Sequence, residues 1–380
     1  MRIVVSAPTR FHLFDLAREL ARRRVLGRLF TTYPRTCVDP HLRALTTSLP
    51  VYGLLGYAVA RMRDGHLRRG LEWQFIERYD RAVARRLPEA DVVVGLSGRA
   101  LHTLCRARVM GAVAVCDRGS SHIVYQDQVL AEEHARWAVP YRPIDRRGIA
   151  KELAEYEAAD LITVPSRYAR TTFEAHGVPA DKIAVIPYGV DIDQFRPGPG
   201  SGDRFRVLFA GRIGLRKGVP YLLEAVRPLV SLPKFEVWLA GAMEPEARRW
   251  LGRFQGFRLL GHLSRAALAR VYGVSSVFVH PSVEEGLGLV IAQAMASQLP
   301  VIASSATGAE ELVTDGKEGF IVPPRSPEAI RDRLLELYED PDLRSKMGAA
   351  ALDRVRQGRG WAQYGRQALD AYMRLCRGCG

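Results

Sequence analysis

Short runs of β-branched residues, unbroken by polar alternation, recur along the whole chain and restrict its fold more than any other feature. They are RIVVSA (2–7), DVVVGL (91–96), GAVAVC (111–116), LITVPS (161–166), FRVLFAG (205–211), FEVWLAG (235–241), SVFVHPS (276–282) and PVIAS (300–304). Strands that are apolar on both faces suit parallel sheets covered by helices. Helical patterns such as FHLFDLARELARR and VPYLLEAVRPLV lie between these runs. The alternation therefore predicts a doubly wound α/β architecture.

One stretch interrupts this pattern. VDIDQFRPGPGSGDRFR (190–206) combines Pro, Gly and Ser without apolar periodicity, and a new strand follows it at once. Such composition is typical of a domain linker, and 380 residues suffice for two domains. We predict a first domain over residues 1–195 and a second over 204–360. In such folds ligands bind at the carboxyl ends of the strands, so a cleft between the domains is the expected site.

Positive charge is concentrated in the first part of the chain. Residues 1–150 contain 25 arginines and no lysine against 14 acidic residues, and the whole chain carries a net charge of +14. An anionic lipid head group, a phosphorylated acceptor or nucleic acid could be attracted there, and a solvated basic surface is an equal alternative. No basic stretch interleaved with stacking aromatic residues, zinc-finger spacing or recognition helix is visible, so no nucleic acid partner is expected.

The termini and cysteines suggest a cytoplasmic protein. The start, MRIVVSAPTRFHLFDLARELARRR, does not resemble a signal peptide, and no apolar run approaches the ~20 residues that span a bilayer. Five cysteines form no disulfide framework in a chain of this length. Cys376 and Cys379 form a CxxC pair, but a second ligand pair is missing, so a frayed tail is favoured over a zinc site.

Glycines and cations follow the first strand of the second half. In FRVLFAGRIGLRKGVPYLLEAV, Gly211 ends the strand, Arg212 and Lys217 share the next loop, and a helix follows. The two cations could converge on a diphosphate, or they could simply be solvated. The spacing fits neither a Walker A loop nor a GxGxxG motif.

A carboxylate-rich turn follows the strand-like SVFVH. In VEEGLGLVIAQ, Gly286 and Gly288 allow close backbone approach, and a helix is expected to begin near Leu287. Its first amides, over Gly286, Leu287, Gly288 and Leu289, could bind a phosphate. Glu284 suits a helix cap, whereas Glu285 could accept hydrogen bonds from vicinal sugar hydroxyls. Gln293 lies eight residues further on, about 12 Å away if the segment were wholly helical.

These residues belong to HPSVEEGLGLVIAQAMASQLPVIAS, which resembles the hallmark of the retaining glycosyltransferases of family 4. That family has the GT-B fold, in which two Rossmann-like domains face each other across a cleft, and it uses nucleotide-sugar donors. It typically has two glutamates with seven residues between them, the first for the donor sugar and the second for the ribose. By position, the resemblance implies Glu285 for the sugar and Gln293 for the ribose. AGRIGLRKG implies Arg212 and Lys217 as the diphosphate clamp.

The resemblance is strongest from about residue 155 to 345 and also implies roles in the first domain. His122, in CDRGSSHIVYQ, aligns with a histidine that reaches the donor sugar and the reaction centre, and an ordinary loop residue is the alternative. Asp117 is a supporting neighbour. The family's usual Gly-Gly loop is replaced by SAPTRFH, and Tyr188 stands where Asn is usual. Family 4 chains tend to end in a helix that crosses back to the first domain, which WAQYGRQALDAYMRLC (361–376) could form. The acceptor would contact Thr9, Arg10, His12, Arg118 and Ser121.

The resemblance implies a retaining, metal-independent glycosyltransferase without a cofactor. It would move a hexose from a UDP- or GDP-linked donor to a glycan or polyprenyl-linked acceptor in cell-surface polysaccharide synthesis. LLGYAVARMRDGHLRRGLEWQF (54–75) could contact a membrane surface, or it could pack on its own domain. The alternatives are a GT-B epimerase or phosphorylase, a catalytically silent scaffold and, more remotely, a nucleic-acid-binding protein.

Overall fold

The computed structural model of the protein describes residues 1–62, 65–191, 194–357 and 360–377, and it contains two parallel β-sheets covered by helices. The first sheet has seven strands in the order β3-β2-β1-β4-β5-β6-β7. They are β1 (Ile3–Ser6), β2 (Leu26–Thr31), β3 (Thr46–Ser48), β4 (Val92–Leu96), β5 (Val113–Asp117), β6 (Leu161–Val164) and β7 (Ile183–Val185). The second sheet has six strands in the order β10-β9-β8-β11-β12-β13. They are β8 (Phe205–Ala210), β9 (Phe235–Ala240), β10 (Arg258–Gly261), β11 (Val277–His280), β12 (Val301–Ser304) and β13 (Gly319–Val322).

Helices connect the strands and cover both faces of each sheet. Those of the first half are α1 (His12–Arg22), α2 (Pro50–Ala60), α3 (Gly65–Ala84), α4 (Leu101–Val109), α5 (Ile123–Arg136), α6 (Arg146–Ala158) and α7 (Arg167–Glu174). Those that follow are α8 (Val219–Val226), α9 (Arg265–Tyr272), α10 (Leu289–Ala296), α11 (Pro327–Glu339), α12 (Pro341–Arg356) and α13 (Trp361–Arg377). Helices between parallel strands are the usual crossover connections.

The predicted doubly wound α/β fold is confirmed. All eight predicted strands are present, and their ends lie within two residues of those predicted. They were recognisable because central strands such as Val92–Leu96 are buried along almost their whole length. The strands that the sequence did not indicate are weaker in this respect. Arg258–Gly261, for example, is an edge strand with three of its four residues exposed.

The strand order reverses once in each sheet, between β1 and β4 in the first and between β8 and β11 in the second. Loops that leave the carboxyl ends of such neighbouring strands form a crevice where ligands bind. The two crevices therefore lie after β1 and β4 in the first half and after β8 and β11 in the second. Within the described parts of the chain, no helix is both long enough and apolar enough to cross a membrane.

Helix α13 packs against α1, at the opposite end of the sequence. Its side chains Tyr364 and Tyr372 are only 3% and 1% exposed, and both belong to the core that includes β1. The guanidinium of Arg23 donates a hydrogen bond to the carbonyl of Ala362 at 2.9 Å. The last helix thus forms part of the core of the first half.

Candidate active site

A cleft of about 1210 Å³ lies between the two halves, and both crevices open into it. The first half contributes residues that follow β1, β4 and β5 and one from α6, among them Thr9, Phe11, Arg99, Arg118, Ser120 and Glu152. The second half contributes residues that follow β8 and β11, among them Gly211, Arg212, Lys217, Glu285, Leu287 and Leu289. The cleft predicted between the halves is therefore present. It brings together eight predicted site residues, namely Thr9, Arg118, Gly211, Arg212, Lys217, Glu285, Leu287 and Leu289.

The loop after β8 is held against the loop after β11. The backbone N–H of Val283 donates to the carbonyl of Arg216 at 3.0 Å. Gly218 has a φ of +64°, and a Cβ there would lie 1.9 Å from the carbonyl oxygen of Pro281. Only glycine combines this backbone conformation with such close approach. The contact places Lys217 beside Glu285.

Glu285 is an ionised carboxylate held between the ammonium of Lys217 and the imidazole of His280. Lys217 Nζ lies 2.6 Å from one carboxylate oxygen, and His280 Nε2 lies 2.5 Å from the other. Burial alone would raise the pKa of Glu285, but Lys217 and then His280 lower that pKa well below its usual range. The side chain remains 18% exposed and lines the cleft, so its oxygens can accept hydrogen bonds from a ligand.

Arg212 extends into solvent at the mouth of the cleft. Its side chain is 75% exposed, and its guanidinium lies 2.9 Å from the carboxylate of Glu244. The two predicted diphosphate cations, Arg212 and Lys217, thus share one loop and line one cleft, and each is paired with a carboxylate. An exposed pair of this kind contributes little to stability, so a diphosphate could replace Glu244 at little cost.

Helix α10 begins at Leu289, two residues later than predicted. The preceding turn is fixed by other backbone contacts, because Glu285 N–H donates to the carbonyl of Ala306 and Gly288 N–H donates to that of Thr307. A Cβ on Gly286 would lie 2.3 Å from the carbonyl oxygen of Gly119 in the other half. The sequence predicted close approach of a ligand at Gly286, whereas the structure shows close approach of the first half.

Gln293 lies in the second turn of α10, outside the residues that line the cleft. The first three residues after Glu285 are not helical, so the separation estimated for a continuous helix does not apply. The side-chain oxygen Oε1 of Gln293 is buried, and within the described ranges it has no hydrogen-bond partner. A buried amide oxygen without a partner is uncommon in proteins, and a ligand hydroxyl could satisfy it.

Glu284 does not cap α10, contrary to expectation, because the cap residue is Gly288. Its carboxylate is fully buried and accepts hydrogen bonds from Ser120 Oγ at 2.7 Å and Ser121 Oγ at 2.6 Å in the first half. Gln126 Nε2 donates at 2.9 Å, and Arg216 Nε donates from the second half at 2.8 Å. Burial would raise the pKa of Glu284, but Arg216 and these donors lower it from 4.5 to about 2.

The loop after β1 contributes less to the cleft than the sequence suggested. Thr9 lines the cleft, but the guanidinium of Arg10 donates to the carbonyl of Cys37. His12 is 1% exposed, contacts the carboxylate of Asp117 through Nε2, and stacks on Tyr188 with ring centroids 4.2 Å apart. The position of His12 does not support the predicted contact with an acceptor, since its ring belongs to the core beneath the cleft.

Arg118 lines the cleft but is fully engaged by its own half. Its guanidinium lies 2.6 Å from Glu152, and it donates to the carbonyl of Ser121 and to the side chain of Gln126. Ser121 is fully buried and uses its hydroxyl on Glu284, so it is not placed for an acceptor either. The predicted acceptor roles of Arg118 and Ser121 therefore give way to a role in shaping the wall of the cleft.

The structure does not place His122 at the reaction centre. Its ring is 3% exposed, stacks on His176 with centroids 4.3 Å apart, and meets Phe173 edge-on. Burial, followed by the charges of His176 and Arg118, lowers the pKa of His122 to about 4. The ring is therefore neutral near pH 7, and its role is that of a packed residue at the start of α5.

Residues that line the cleft and that the sequence did not indicate include Arg99, Ser120, Gln126, Glu152, Arg216 and His280. Burial lowers the pKa of the Arg99 guanidinium, although Glu152 and Glu155 oppose this effect. Arg99 follows β4, so the reversal of strand order between β1 and β4 was the signal that could have identified it.

One cluster away from the cleft has the composition of a metal site. Glu77, Asp80 and His102 offer ligand atoms within 4.8 Å of one another. However, the ammonium of Lys151 lies 2.5 Å from Glu77 and 2.7 Å from Asp80. This buried cation already balances both carboxylates, so the cluster is best explained as an ion-pair network. The CxxC pair lies partly outside the described residues, since Cys379 is not among them.

Comparison with known protein families gives two matches that cover most of the chain. Residues 10–194 match the family model described as Glycosyltransferase Family 4, and residues 204–340 match the model described as Glycosyl transferases group 1. A D-inositol 3-phosphate glycosyltransferase from Kribbella flavida is 30% identical over 321 aligned positions, and the match covers 72% of this chain and 75% of that protein.

Solved structures share the fold. Sucrose-phosphate synthase from Thermosynechococcus elongatus superposes with a TM-score of 0.75 at 21% identity, and the match covers all of both chains. HepE from Anabaena, solved in complex with UDP, superposes with a TM-score of 0.70 at 17% identity over 97% of this chain and 99% of that one. The two sheets, the cleft between them and these matches confirm the GT-B fold, and the chain belongs to the family 4 (group 1) glycosyltransferases.

Proposed function

We propose that the protein transfers a hexose from a nucleotide-sugar donor, with retention of configuration, to a glycan or lipid-linked acceptor in cell-surface polysaccharide synthesis. The observation that carries this proposal is the position of Glu285. Its carboxylate lies in the cleft beside Lys217, where it can accept hydrogen bonds from sugar hydroxyls while the ammonium faces a phosphate. One residue pair can thus hold both sides of the bond that breaks.

The proposed reaction follows from the charge that develops during bond cleavage. As the bond from the sugar C1 to the diphosphate oxygen breaks, negative charge grows on the diphosphate and positive charge on the ring. Lys217 and Arg212 would stabilise the leaving group, and Glu285 would orient the sugar. The acceptor oxygen then bonds to C1 on the face that the diphosphate leaves, and the proton of its hydroxyl passes to a diphosphate oxygen.

Two cations on one loop can balance the diphosphate, so we propose turnover without a divalent metal or other cofactor. The test is to compare turnover in Mg²⁺ and in EDTA. Equal rates agree with the proposal. Loss of activity in EDTA that returns with Mg²⁺ would show that Arg212 and Lys217 are insufficient.

The donor is proposed to be UDP- or GDP-linked, and UDP is tested first because HepE was solved with UDP. A thermal-shift screen of UDP, GDP, ADP and their sugar conjugates should raise the melting temperature with one nucleotide series. The same nucleotide should fail to stabilise Lys217→Ala. No stabilisation by any of them would favour a catalytically silent scaffold.

The acceptor is proposed to carry an anionic group. Arg99 lines the first half of the cleft, and residues 1–150 carry a strong excess of arginine. The relative from Kribbella flavida is named for inositol 3-phosphate, which makes phosphorylated and unphosphorylated inositol useful first probes. Arg99→Gln should raise KM for the phosphorylated acceptor and leave donor KM unchanged.

We also propose that α2 contacts an anionic membrane surface from the cytoplasmic side. Val51, Leu54 and Tyr57 are 60%, 69% and 60% exposed, although they are apolar or aromatic. The guanidinium of Arg61 lies 3.9 Å from the ring centre of Tyr57, next to these residues. Exposed apolar side chains flanked by arginine suit the interface of an anionic bilayer. The predicted segment 54–75 is divided between α2 and α3, and its residues 63 and 64 lie outside the described ranges.

Vesicle flotation tests this contact. The protein should float with vesicles that contain phosphatidylglycerol at low salt and should remain unbound to phosphatidylcholine vesicles. Leu54→Glu should abolish flotation. Val109→Glu is the matched control, since Val109 is 78% exposed at the end of α4. If both variants float as the unaltered protein does, α2 is not the contact.

A further inference from the structure

Glu284 and Glu285 are adjacent, yet Glu284 has no place in the donor chemistry described above. Its carboxylate is fully buried at the junction of the two halves. One oxygen accepts hydrogen bonds from the hydroxyls of Ser120 and Ser121, and the other accepts from Gln126 and Arg216. Three of these donors belong to the first half and one to the second.

Burial of a carboxylate is costly, and an apolar side chain of similar size would often be as stable at such a position. A carboxylate differs from an apolar residue because its hydrogen bonds fix direction as well as distance. Arg216 is one of the four donors, and it also donates to Ser120 Oγ at 3.1 Å. These two hydrogen bonds leave its guanidinium little freedom. The arrangement therefore fixes the relative position of two loops from different halves.

Both loops lead directly to residues that line the cleft. In the second half, Arg216 precedes Lys217, and Glu284 precedes Glu285. In the first half, Ser120 follows Gly119, whose carbonyl oxygen is the atom that a Cβ on Gly286 would meet. A shift of the first-half loop relative to Glu284 would therefore move the acceptor wall of the cleft relative to the donor-binding pair.

We propose that Glu284 is a positioning residue, which holds loop 118–121 of the first half against Arg216 so that donor and acceptor meet in a closed cleft. This inference rests on the proposed glycosyl transfer and adds a determinant of its geometry. The donor contacts proposed above, Arg212, Lys217 and Glu285, all lie in the second half, whereas the proposed transition state also needs the acceptor bound to the first half. Loss of Glu284 should therefore lower kcat and leave nucleotide binding almost unchanged.

The experiment compares Glu284→Gln, Arg216→Gln and the double variant. Glu284→Gln removes the negative charge, so the ion pair with Arg216 is lost, and the amide nitrogen can no longer accept from the donors that the replaced oxygen faced. We expect kcat to fall about 10- to 100-fold, with donor KM and the UDP-induced melting shift within about twofold of the unaltered protein. The double variant should lose little more than either single variant, because both remove the same contact.

Glu311→Gln is the matched control. Glu311 also joins the halves, since it accepts hydrogen bonds from the backbone and guanidinium of Arg167, but it does not belong to the cleft lining described above. Its kcat should stay within about twofold of the unaltered protein. If Glu311→Gln lowers kcat as much as Glu284→Gln does, general loosening of the interface explains the effect and the proposal is wrong.

Hydrogen exchange supplies a readout without turnover. In Glu284→Gln, amides of residues 118–126 should exchange faster, whereas those of the central strands should not. Unchanged exchange there would overturn the proposal even if kcat falls. If the unaltered protein transfers no sugar from any donor, the proposed function fails, and the exchange result still decides whether Glu284 fixes the loop.

Discussion

At the scale of residues, two neighbouring carboxylates have different partners. Glu285 contacts Lys217 and His280 in its own half. Glu284 contacts Ser120 and Ser121, which lie more than 160 positions earlier in the chain (164 and 163 positions). The sequence indicated Glu285 because the signal for it, glycines and a helix that follow at once, lies within a few residues. It could not indicate Glu284, since nothing near that residue specifies which distant side chains it meets. For the same reason, the sequence could not show that His122 packs away from the reaction centre.

Glu285→Gln should reduce kcat/KM by about 10²–10³-fold, by analogy with the loss of one preorganised donor at a developing charge. The neutral amide cannot form the ion pair with Lys217 and accepts fewer hydrogen bonds from sugar hydroxyls. Steady-state kinetics with the identified donor measure the effect, and circular dichroism checks folding. Activity within twofold of the unaltered protein would contradict the role given to Glu285.

Acid should destabilise the protein partly through Glu284. Its pKa is about 2 in the folded state and 4.5 ordinarily, so the contribution to stability is present above pH 4.5 and is lost as pH falls toward 2. At 1.36 kcal/mol per unit, this contribution is about 3 kcal/mol. Urea unfolding between pH 7 and pH 2 measures it. Glu284→Gln should show a shallower decline with acid, and an identical slope would contradict the assignment.

At the scale of elements, strands were easier to predict than the starts of helices. Strands such as β4 are buried along almost their whole length and need no distant information to be recognised. The start of α10 depends instead on contacts to the carbonyls of Ala306 and Thr307, which lie beyond the helix in the chain. The sequence could therefore place the turn but not its last residue.

Tyr372→Ala in α13 should lower the free energy of unfolding by about 3–5 kcal/mol, as expected for the loss of a buried aromatic ring. Tyr372 is 1% exposed, and α13 packs on α1. Urea denaturation measures the change. Gln367→Ala serves as the control because Gln367 is exposed on the same helix, and equal losses in both variants would show that packing of Tyr372 is not the cause.

At the scale of the whole molecule, the two halves meet through backbone atoms as well as side chains. The carbonyl of Gly286 accepts a hydrogen bond from Ser166 Oγ at 2.6 Å. The carbonyl oxygen of Gly119 lies where a side chain on Gly286 would be. The sequence predicted two sheets and a cleft between them. It did not predict how closely the halves approach, because closeness depends on pairs of residues more than 100 positions apart.

Gly286→Ala should therefore hold the halves apart. Its Cβ would lie 2.3 Å from the carbonyl oxygen of Gly119, which no ordinary contact permits. Small-angle scattering should give a larger radius of gyration, and kcat should fall more than donor affinity. Gly252→Ala is the control, since a Cβ there meets nothing within 4 Å. An unchanged radius in Gly286→Ala would mean that the chain relieves the clash locally.

The contact between Glu284 and the loop 118–121 has a consequence for how such proteins can recombine. A chimera that joins the first half of this chain to the second half of a relative replaces one side of this contact and keeps the other. It should remain active only if the serines and the glutamate are inherited together, because a buried carboxylate without its donors is strongly unfavourable. Exchange of halves between this chain and a relative should thus be constrained at Ser120, Ser121 and Glu284, which are distant in sequence and adjacent in space.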